Sequence, residues 1–157
     1  RRNRPIFKAD TLLSEEFTQM KLTAEHKKNL IEEFEYGIKM MKASDSADKK
    51  LFYFSALYGA LSRIFNLEYD PQLVFLHQIL SSAFNNINMR FNAIRGGETS
   101  IQFPESYFDK LTQAAEELVE KIKKDEDTYS TMEKIAILTF VTTGNGYYLF
   151  ERKIIKI

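Results

Sequence analysis

The sequence predicts an all-α protein, an up-and-down helical bundle of four long helices plus a short helix or C-terminal tail, in a single domain over residues 1–157. Apolar residues recur at spacings of three and four along most of the chain, which is the period of an amphipathic helix. Helix-capping residues stand before these stretches, and glycine or proline separates several of them. No internal repeat or long linker divides the chain, and its length fits one domain.

The N-terminal part of the chain predicts an arm, a short helix and the first long helix. Pro5 and scattered charges make residues 1–10 a flexible arm, and a short helix is expected around Leu12 to Met20. Thr23 is placed to cap a helix that runs to about Lys42. The apolar residues of this helix stack at spacings of four and three: Leu30, Phe34, Ile38 and Met41.

Two further long helices are predicted in the centre of the chain. The turn SDSAD, Ser44 to Asp48, caps a helix over about Lys49 to Leu67. Asp70 followed by Pro71 is a strong start signal, because aspartate accepts hydrogen bonds at the N-cap and proline fits the first helical position. The third helix is therefore expected to run from Pro71 to about Ile94.

The C-terminal part predicts a fourth helix and leaves two alternatives for the end of the chain. Pro104 is expected to start the fourth helix, which the charge run Lys123 to Asp127 ends in solvent. Ser130 and Glu133 form a capping-box pattern ahead of a helix to about Thr143. The β-branched run IAILTFVTT, a GNG turn and YYLFERKIIKI as a returning strand instead favour a β-hairpin over residues 135–157. The capping box favours the helix, because a lone hairpin needs neighbours for stability.

Composition limits the classes of partner. The chain has 22 basic and 22 acidic side chains, and this neutral balance disfavours nucleic-acid binding, so that RRNRP at the N-terminus is better explained as a flexible end. The lack of cysteine excludes disulfides, thiolate zinc sites and cysteine nucleophiles. No apolar run of transmembrane length and no signal core are present, so a cytoplasmic protein without a membrane partner is expected.

Polar residues line one side of the third helix, in a region with little charge. On a helical wheel six of them fall within an arc of about 80°: His77, Ser81, Asn85, Asn88, Asn92 and Arg95. From Leu51 to Ile94 only four residues are ionised, Arg63, Glu68, Asp70 and Arg90. A solvated helix face normally carries long charged side chains, so this polar stripe predicts a partly dehydrated environment.

Three explanations fit the polar stripe. The two central helices lie inside the bundle, and the asparagines bond to neighbouring helices. Alternatively, copies of the chain meet here, because interface cores are depleted in charge; the interface residues would then be His77, Ser81, Asn85, Asn88 and Asn92. The third explanation is a ligand-binding face, since ligands often lie between helices.

Recognisable catalytic and metal-binding motifs are missing from the sequence. A di-iron helical bundle would need glutamate three residues before its histidines, where this chain has Thr23 and Val74. The phosphate loops G-x-x-x-x-G-K-[ST] and G-x-G-x-x-G and the nucleophile motif G-x-S-x-G are also missing. Carboxylates at helical spacing beside lysines predict solvated faces. The sequence therefore predicts no metal site and names no cofactor, and whether the protein is an enzyme stays open.

The end of the third helix holds the sharpest candidate for ligand binding. Arg90, Arg95 and the pair Gly96–Gly97 form an anion-binding pattern, and Asn88 and Asn92 lie in the same stretch. The plainer explanation is a helix C-cap, because glycine commonly follows a helix end and basic side chains there interact favourably with the helix dipole.

The arrangement of elements resembles a known family. Five predicted helices, the glycine-containing loop IRGGETSIQFP before a late helix and an arginine at the end of a long helix resemble the corrinoid adenosyltransferases. The resemblance implies a trimeric helical bundle that joins the adenosyl group of ATP to reduced cobalamin between subunits. The family's phosphate loop T-K-x-G-D-x-G and its helix motif R-R-x-E-R are missing here, so no residue role carries over.

Two functional hypotheses follow from the sequence. The leading one is a homo-oligomeric helical-bundle interaction protein without a catalytic motif, assembled through the helices around Leu51–Leu67 and Pro71–Ile94. The alternative is a nucleotide- or cofactor-binding bundle related to the corrinoid adenosyltransferases. Its small-molecule site would use Arg90, Arg95, Asn88 and Asn92.

Overall fold

The structure is a computed structural model that describes residues 20–98 and 103–157, and within these ranges it is all-helical. The six helices are α1 (Ala24–Ala43), α2 (Ala47–Leu67), α3 (Pro71–Arg95), α4 (Tyr107–Lys123), α5 (Tyr129–Phe140) and α6 (Gly144–Glu151). The predicted all-α class is thereby confirmed. The predicted N-terminal arm, and nearly all of the short helix around Leu12 to Met20, lie outside the described residues.

The first three helices begin at the capping residues that the sequence indicates. The hydroxyl of Thr23 accepts a hydrogen bond from the backbone N–H of His26, and Ser46 caps α2 in the same way. Asp70 caps α3, with Pro71 in its first turn. The N-cap carboxylate of Asp70 also accepts a hydrogen bond of 2.9 Å from the backbone N–H of Lys21. One side chain thus fixes both the start of α3 and the chain ahead of α1.

Five helices pack so that each has two main neighbours. Helix α1 packs against α2 and α4, and α3 packs against α2 and α5, while α4 also packs against α5. Contacts at both ends show that α2 and α3 are antiparallel, since Ser62 lies opposite His77 and Asp48 lies opposite Arg95. The helices therefore follow one another around the core in the order α1, α2, α3, α5, α4.

The core consists of one apolar stripe from each of these helices. The predicted stripe of α1 is buried in full, with Phe34 and Met41 at zero exposure. Buried residues of α3 recur at spacings of three and four: Leu73, Leu76, Leu80, Ala83 and Ile87. Burying each large apolar side chain contributes roughly 1.5–3 kcal/mol, so these stripes supply most of the free energy that holds the helices together.

Two predicted helix starts in the C-terminal half are wrong. Helix α4 begins at Tyr107 rather than at Pro104, which lies in a turn whose carbonyl accepts the N–H of Tyr107. Helix α5 begins before the predicted capping box, with Thr128 at its N-cap. The hydroxyl of Ser130 cannot cap the helix because Ser130 lies inside the first turn, where it accepts a hydrogen bond from Lys121 Nζ.

The C-terminal part of the chain forms α5 and α6, and residues 152–157 are neither helix nor strand, so the alternative of a β-hairpin is wrong. In α5 the β-branched Thr139 is satisfied by a hydrogen bond of 2.8 Å from its own hydroxyl to the carbonyl of Ile135, a bond that threonine forms readily in helices. The GNG segment is the first turn of α6, capped by Thr143. Gly146 lies so close to the carbonyl of Phe140 that no side chain would fit there. This contact explains the glycine better than a hairpin turn does.

None of the helices in the described ranges is long and apolar enough to cross a membrane.

Candidate functional site

His77 lies in an aromatic cleft between α2 and α3. Its Nε2 atom is 3.0 Å from the hydroxyl of Ser62. The ring of Phe65 stacks on the imidazole at 4.7 Å, and Tyr58 lies 5.2 Å from it on a tilted plane. The histidine is half-buried and its contacts are supplied by α2, so the upper part of the polar stripe follows the edge where α2 and α3 meet.

The asparagines of the polar stripe bond within their own helix where the structure shows a partner. Asn85 donates to the hydroxyl of Ser81 at 3.4 Å, and Asn92 accepts from Arg95 at 3.3 Å. Asn88 is half-buried and has no hydrogen-bond partner among the described residues. Bonds from these asparagines to neighbouring helices, the plainest explanation of the stripe, are therefore not found in the described part of the chain.

The four predicted ligand residues do not converge on one pocket. Arg95 forms an ion pair of 2.6 Å with Asp48 at the start of α2 and lies over the ring of Phe91. Arg90 is half-buried on α3 about 160° around the helix axis from Asn88, given 100° per residue. Each of four pockets in the described residues is lined by other side chains.

The two glycines after α3 form a helix C-cap. The N–H groups of Gly96, Gly97 and Glu98 donate to carbonyls of the last helical turn at 3.0 Å each. Gly97 has a φ of 97°, the left-handed conformation that glycine adopts without strain. Because these N–H groups already have carbonyl partners, the local geometry agrees with the plainer of the two explanations that the sequence offers.

The exposed side of the α2–α3 pair carries almost no charge. We call this surface the outer face and define it by the exposed residues at spacings of three and four on both helices: Phe52, Ala56, Gly59, Arg63 and Asn66 on α2, and Phe75, Gln78, Ser82, Asn85, Met89 and Asn92 on α3. Arg63 is the one ionised residue of this set, and it forms an ion pair with Glu33 of α1. The next exposed positions at the end of the face are Asp48 and Arg95, which pair with each other. Phe52 is 67% exposed, Met89 58% and Phe75 47%.

A glycine in the middle of α2 is not explained by any contact among the described residues. A methyl group at Gly59 would meet no atom within 4 Å, so nothing among the described residues requires the position to be small. Gly37 of α1 is different, because a methyl group there would lie 2.5 Å from Cδ2 of the buried Leu57. Glycine in a helix interior costs roughly 1 kcal/mol relative to alanine. At Gly37 the packing of α1 on α2 offsets that cost, whereas at Gly59 no contact does.

The surface formed by α1 and α4 is charged, and ion pairs join the two helices. Lys42 of α1 pairs with Glu116 of α4, and Glu35 of α1 pairs with Lys123 of α4. A broad groove of about 890 Å³ lies between the two helices, and Glu35, Lys42 and Glu116 are part of its lining. The side chains that reach across the groove pair with one another, whereas Lys39 in its lining has no ion partner among the described residues.

His26 is tied to the turn between α2 and α3 by a side-chain hydrogen bond. Its Nδ1 atom lies 2.5 Å from Oε2 of Glu68, whose carboxylate also accepts from the backbone N–H and the hydroxyl of Thr23. The hydrogen bond from His26 is the main reason that the pKa of the Glu68 carboxyl is below its usual 4.5, and the bonds from Thr23 lower it further. This group anchors the N-terminus of α1.

Side chains that could bind a metal ion do not cluster in the described residues. Within residues 20–98 and 103–157, no group of three histidine, aspartate or glutamate side chains could hold a metal ion. The two histidines are on different helices and have different partners, Glu68 for His26 and Ser62 for His77.

The three exposed apolar residues of the outer face, Phe52, Phe75 and Met89, are not among the site residues predicted from the sequence. Phe52 and Phe75 each lie off the apolar stripe of their helix, one position from the buried Leu51 and Leu76. A bulky apolar residue off the stripe of an amphipathic helix is the signal that could have found them.

In comparisons with models of protein families, with curated proteins and with solved structures, nothing matches this chain.

Proposed function

We propose that the protein is a cytoplasmic helical interaction protein that forms a homo-oligomer through the outer face. The observation that carries this proposal is the exposure of Phe52, Phe75 and Met89 on a surface whose one ionised residue is paired at its margin. Apolar patches rimmed by polar residues are typical of protein–protein contacts, and interface cores are depleted in charge and enriched in aromatic residues and methionine.

The register of α2 and α3 places these apolar residues at both ends of the outer face. Ser62 lies opposite His77 and Asp48 opposite Arg95. The same register brings Phe52 and Met89 together at the end far from the turn, and Phe75 lies near the turn. Since α3 has 25 residues, it is roughly 37 Å long at 1.5 Å per residue. A two-helix face of that length approaches the area of about 800 Å² per partner in a standard interface.

Gly59 supports the close approach of another backbone between the two apolar ends. It lies in the middle of the outer face with open space above it. The exposed residues around it, Ala56 on α2 and Ser82 on α3, have short side chains that project little from the surface. A helix from a second molecule that lies across Gly59 would offset the cost of an exposed glycine in a helix interior.

The chemistry of the polar residues favours a second copy of the chain as the partner. Gln78, Asn85 and Asn92 each carry both a donor and an acceptor, so each can bond to its own copy across a twofold axis. A lysine or glutamate at these positions would repel its copy instead. The predicted interface residues His77, Ser81 and Asn88 lie along the α2 side of this surface and would border the contact.

The same proposal includes the up-and-down arrangement of the long helices. Short connections join α1 to α2 and α2 to α3, and such connections are typical of antiparallel neighbours. Helices α1 to α4 would form the up-and-down bundle, with α5 filling the place between α3 and α4. In this arrangement α2 and α3 expose one continuous side, which leaves it free for a second subunit.

Sedimentation equilibrium over a range of protein concentrations tests the proposal. The expected result is an oligomer that dissociates on dilution, and Phe75→Glu should weaken the association by about 30-fold, the effect of removing one hot-spot residue. Phe140→Glu is the matched control, because Phe140 of α5 is 43% exposed against 47% for Phe75. A monomer at all concentrations, or equal effects of the two substitutions, would overturn the proposal.

A second proposal is the nucleotide- or cofactor-binding bundle related to the corrinoid adenosyltransferases. The observation that favours it is Arg90, a half-buried guanidinium without a hydrogen-bond or ion partner among the described residues. A thermal-shift screen with ATP, other nucleotides and corrinoids checks it. A ligand that stabilises the wild-type chain but not Arg90→Gln supports the proposal, and no stabilisation by any of them would remove it.

A further inference from the structure

A second pocket lies between α4, α5 and the segment that follows α6, away from the outer face. Its volume is about 310 Å³, near the lower end of the range for small-molecule sites. The apolar part of its lining comes from Ala114 of α4, Ile137 and Leu138 of α5, and Ile157. Ile155 and Ile157 pack against the core, which holds this wall in place.

One end of the pocket is lined by charges that neutralise each other. Glu117 accepts hydrogen bonds from Lys134 Nζ at 2.7 Å and from the hydroxyl of Thr131 at 3.0 Å, and Lys121 lies 3.2 Å away. This carboxylate has three partners on its two oxygens. The pair of Glu117 and Lys134 therefore forms a polar wall and offers no unpaired charge to a ligand.

Two further lysines line the same pocket and have no anionic partner. Lys110 of α4 is half-buried, and Lys156 follows α6. Neither side chain forms a hydrogen bond or an ion pair within the part of the chain that the structure describes. Lys110 lies two helical turns from Glu117 on the same side of α4, about 10 Å along the axis at 1.5 Å per residue. The unpaired positive charge is therefore separate from the neutralised end.

We propose that this pocket binds a small amphipathic anion, a carboxylate with a short apolar chain. The carboxylate would lie between Lys110 and Lys156, where two ammonium groups supply hydrogen-bond donors. The apolar chain would cover Ala114, Ile137 and Leu138. A charged head and a short apolar body match the two halves of the lining, and the volume limits the ligand to a compact molecule. This inference is independent of the proposed self-association.

Titration of the ¹⁵N-labelled full chain with octanoate, followed by NMR, tests the inference. The expected result is saturable shifts of the amide resonances around Ala114, Leu138 and Ile157. Octylammonium and octanol carry the same apolar chain with a positive or a neutral head, and both should bind at least tenfold more weakly. Equal binding of octanol would overturn the anion site, and so would octanoate shifts centred on Phe52 and Met89 or no saturable shift.

Variants of the lysines separate a specific site from general attraction to positive charge. Lys110→Gln and Lys156→Gln should each weaken octanoate binding by about threefold, the effect of one partly exposed ion pair, and the double variant by about tenfold. Lys124→Gln is the matched control, because Lys124 is exposed, lies outside the pocket and has no ion partner among the described residues. An affinity that falls equally in the control variant contradicts the proposed site.

Discussion

The α1–α4 surface and the outer face of α2 and α3 belong to helices with equally apolar buried sides, but their exposed sides differ. On the α1–α4 surface, lysines and glutamates from the two helices pair across a groove. On the outer face the exposed residues are aromatic, small or uncharged, and Arg63 is paired with Glu33 of α1. A surface of the first kind is stable in water by itself, whereas the second kind is typical of a surface that another molecule covers.

Phe54 and Phe52, two residues apart on α2, give the largest contrast in stability. Phe54 is fully buried, so Phe54→Ala should lower the free energy of unfolding by about 3–5 kcal/mol. Phe52 is exposed, so Phe52→Ala should change it by less than about 0.5 kcal/mol in the monomer. Denaturant unfolding at low protein concentration measures both values. A large loss of monomer stability for Phe52→Ala would mean that the outer face belongs to the fold rather than to a contact.

Substitution of alanine for the two interior glycines, Gly37 and Gly59, should change the free energy of unfolding in opposite directions. Gly37→Ala forces a methyl group against Leu57 and should destabilise the chain by roughly 1–3 kcal/mol. Gly59→Ala meets open space and should stabilise the monomer by about 1 kcal/mol, because alanine is the better helix former. The same unfolding experiment compares them. Destabilisation at both positions would show that Gly59 is also constrained within the chain.

The contribution of the charged helix α4 to the free energy of unfolding should depend on pH, whereas the outer face contains no carboxylate. Lys134 is the main reason that the pKa of the Glu117 carboxyl is below its usual 4.5, and Lys121 and Thr131 lower it further. Since the folded pKa is lower than the unfolded one, the carboxylate stabilises the fold above pH 4.5, and this contribution is lost as the pH falls through the folded value.

Glu117→Gln should therefore be less stable than the wild type at neutral pH, and the difference should shrink as the pH falls below 4.5. Urea unfolding between pH 3 and pH 7 gives the two curves. Glu126→Gln is a suitable control, because Glu126 is exposed and its side chain has no partner among the described residues. A difference between wild type and Glu117→Gln that stays constant over this range would contradict the assignment of the ion pair.

Local signals in the sequence predict the central helices well. Asp70 and Pro71 start α3 and Gly96 follows its end, because these residues act through their own backbone conformation. Predictions fail where a distant residue decides the structure. Ser130 bonds to Lys121 instead of capping α5, and Gly146 is small because the carbonyl of Phe140 lies against it. Sequence spacing alone does not reveal either contact.

Local sequence signals also predict part of the candidate site, and distant contacts decide the rest. The scarcity of charge between Leu51 and Ile94 is visible in the sequence and directs attention to α2 and α3, which carry the outer face. The asparagines alone, however, do not identify the exposed surface, because Asn88 is half-buried at its edge while Asn85 is exposed. The order of the helices around the core decides which side of α2 and α3 the other described helices leave uncovered.

Self-association of Gly59→Gln tests the central claim most directly. Glutamine is a good helix former and meets open space at this position, so the monomer should be as stable as the wild type or more so. If a second copy lies across Gly59, the new side chain should weaken association by at least about tenfold, a cost of roughly 1.4 kcal/mol, in sedimentation equilibrium. An unchanged association constant with a folded, stable monomer would contradict the proposed contact.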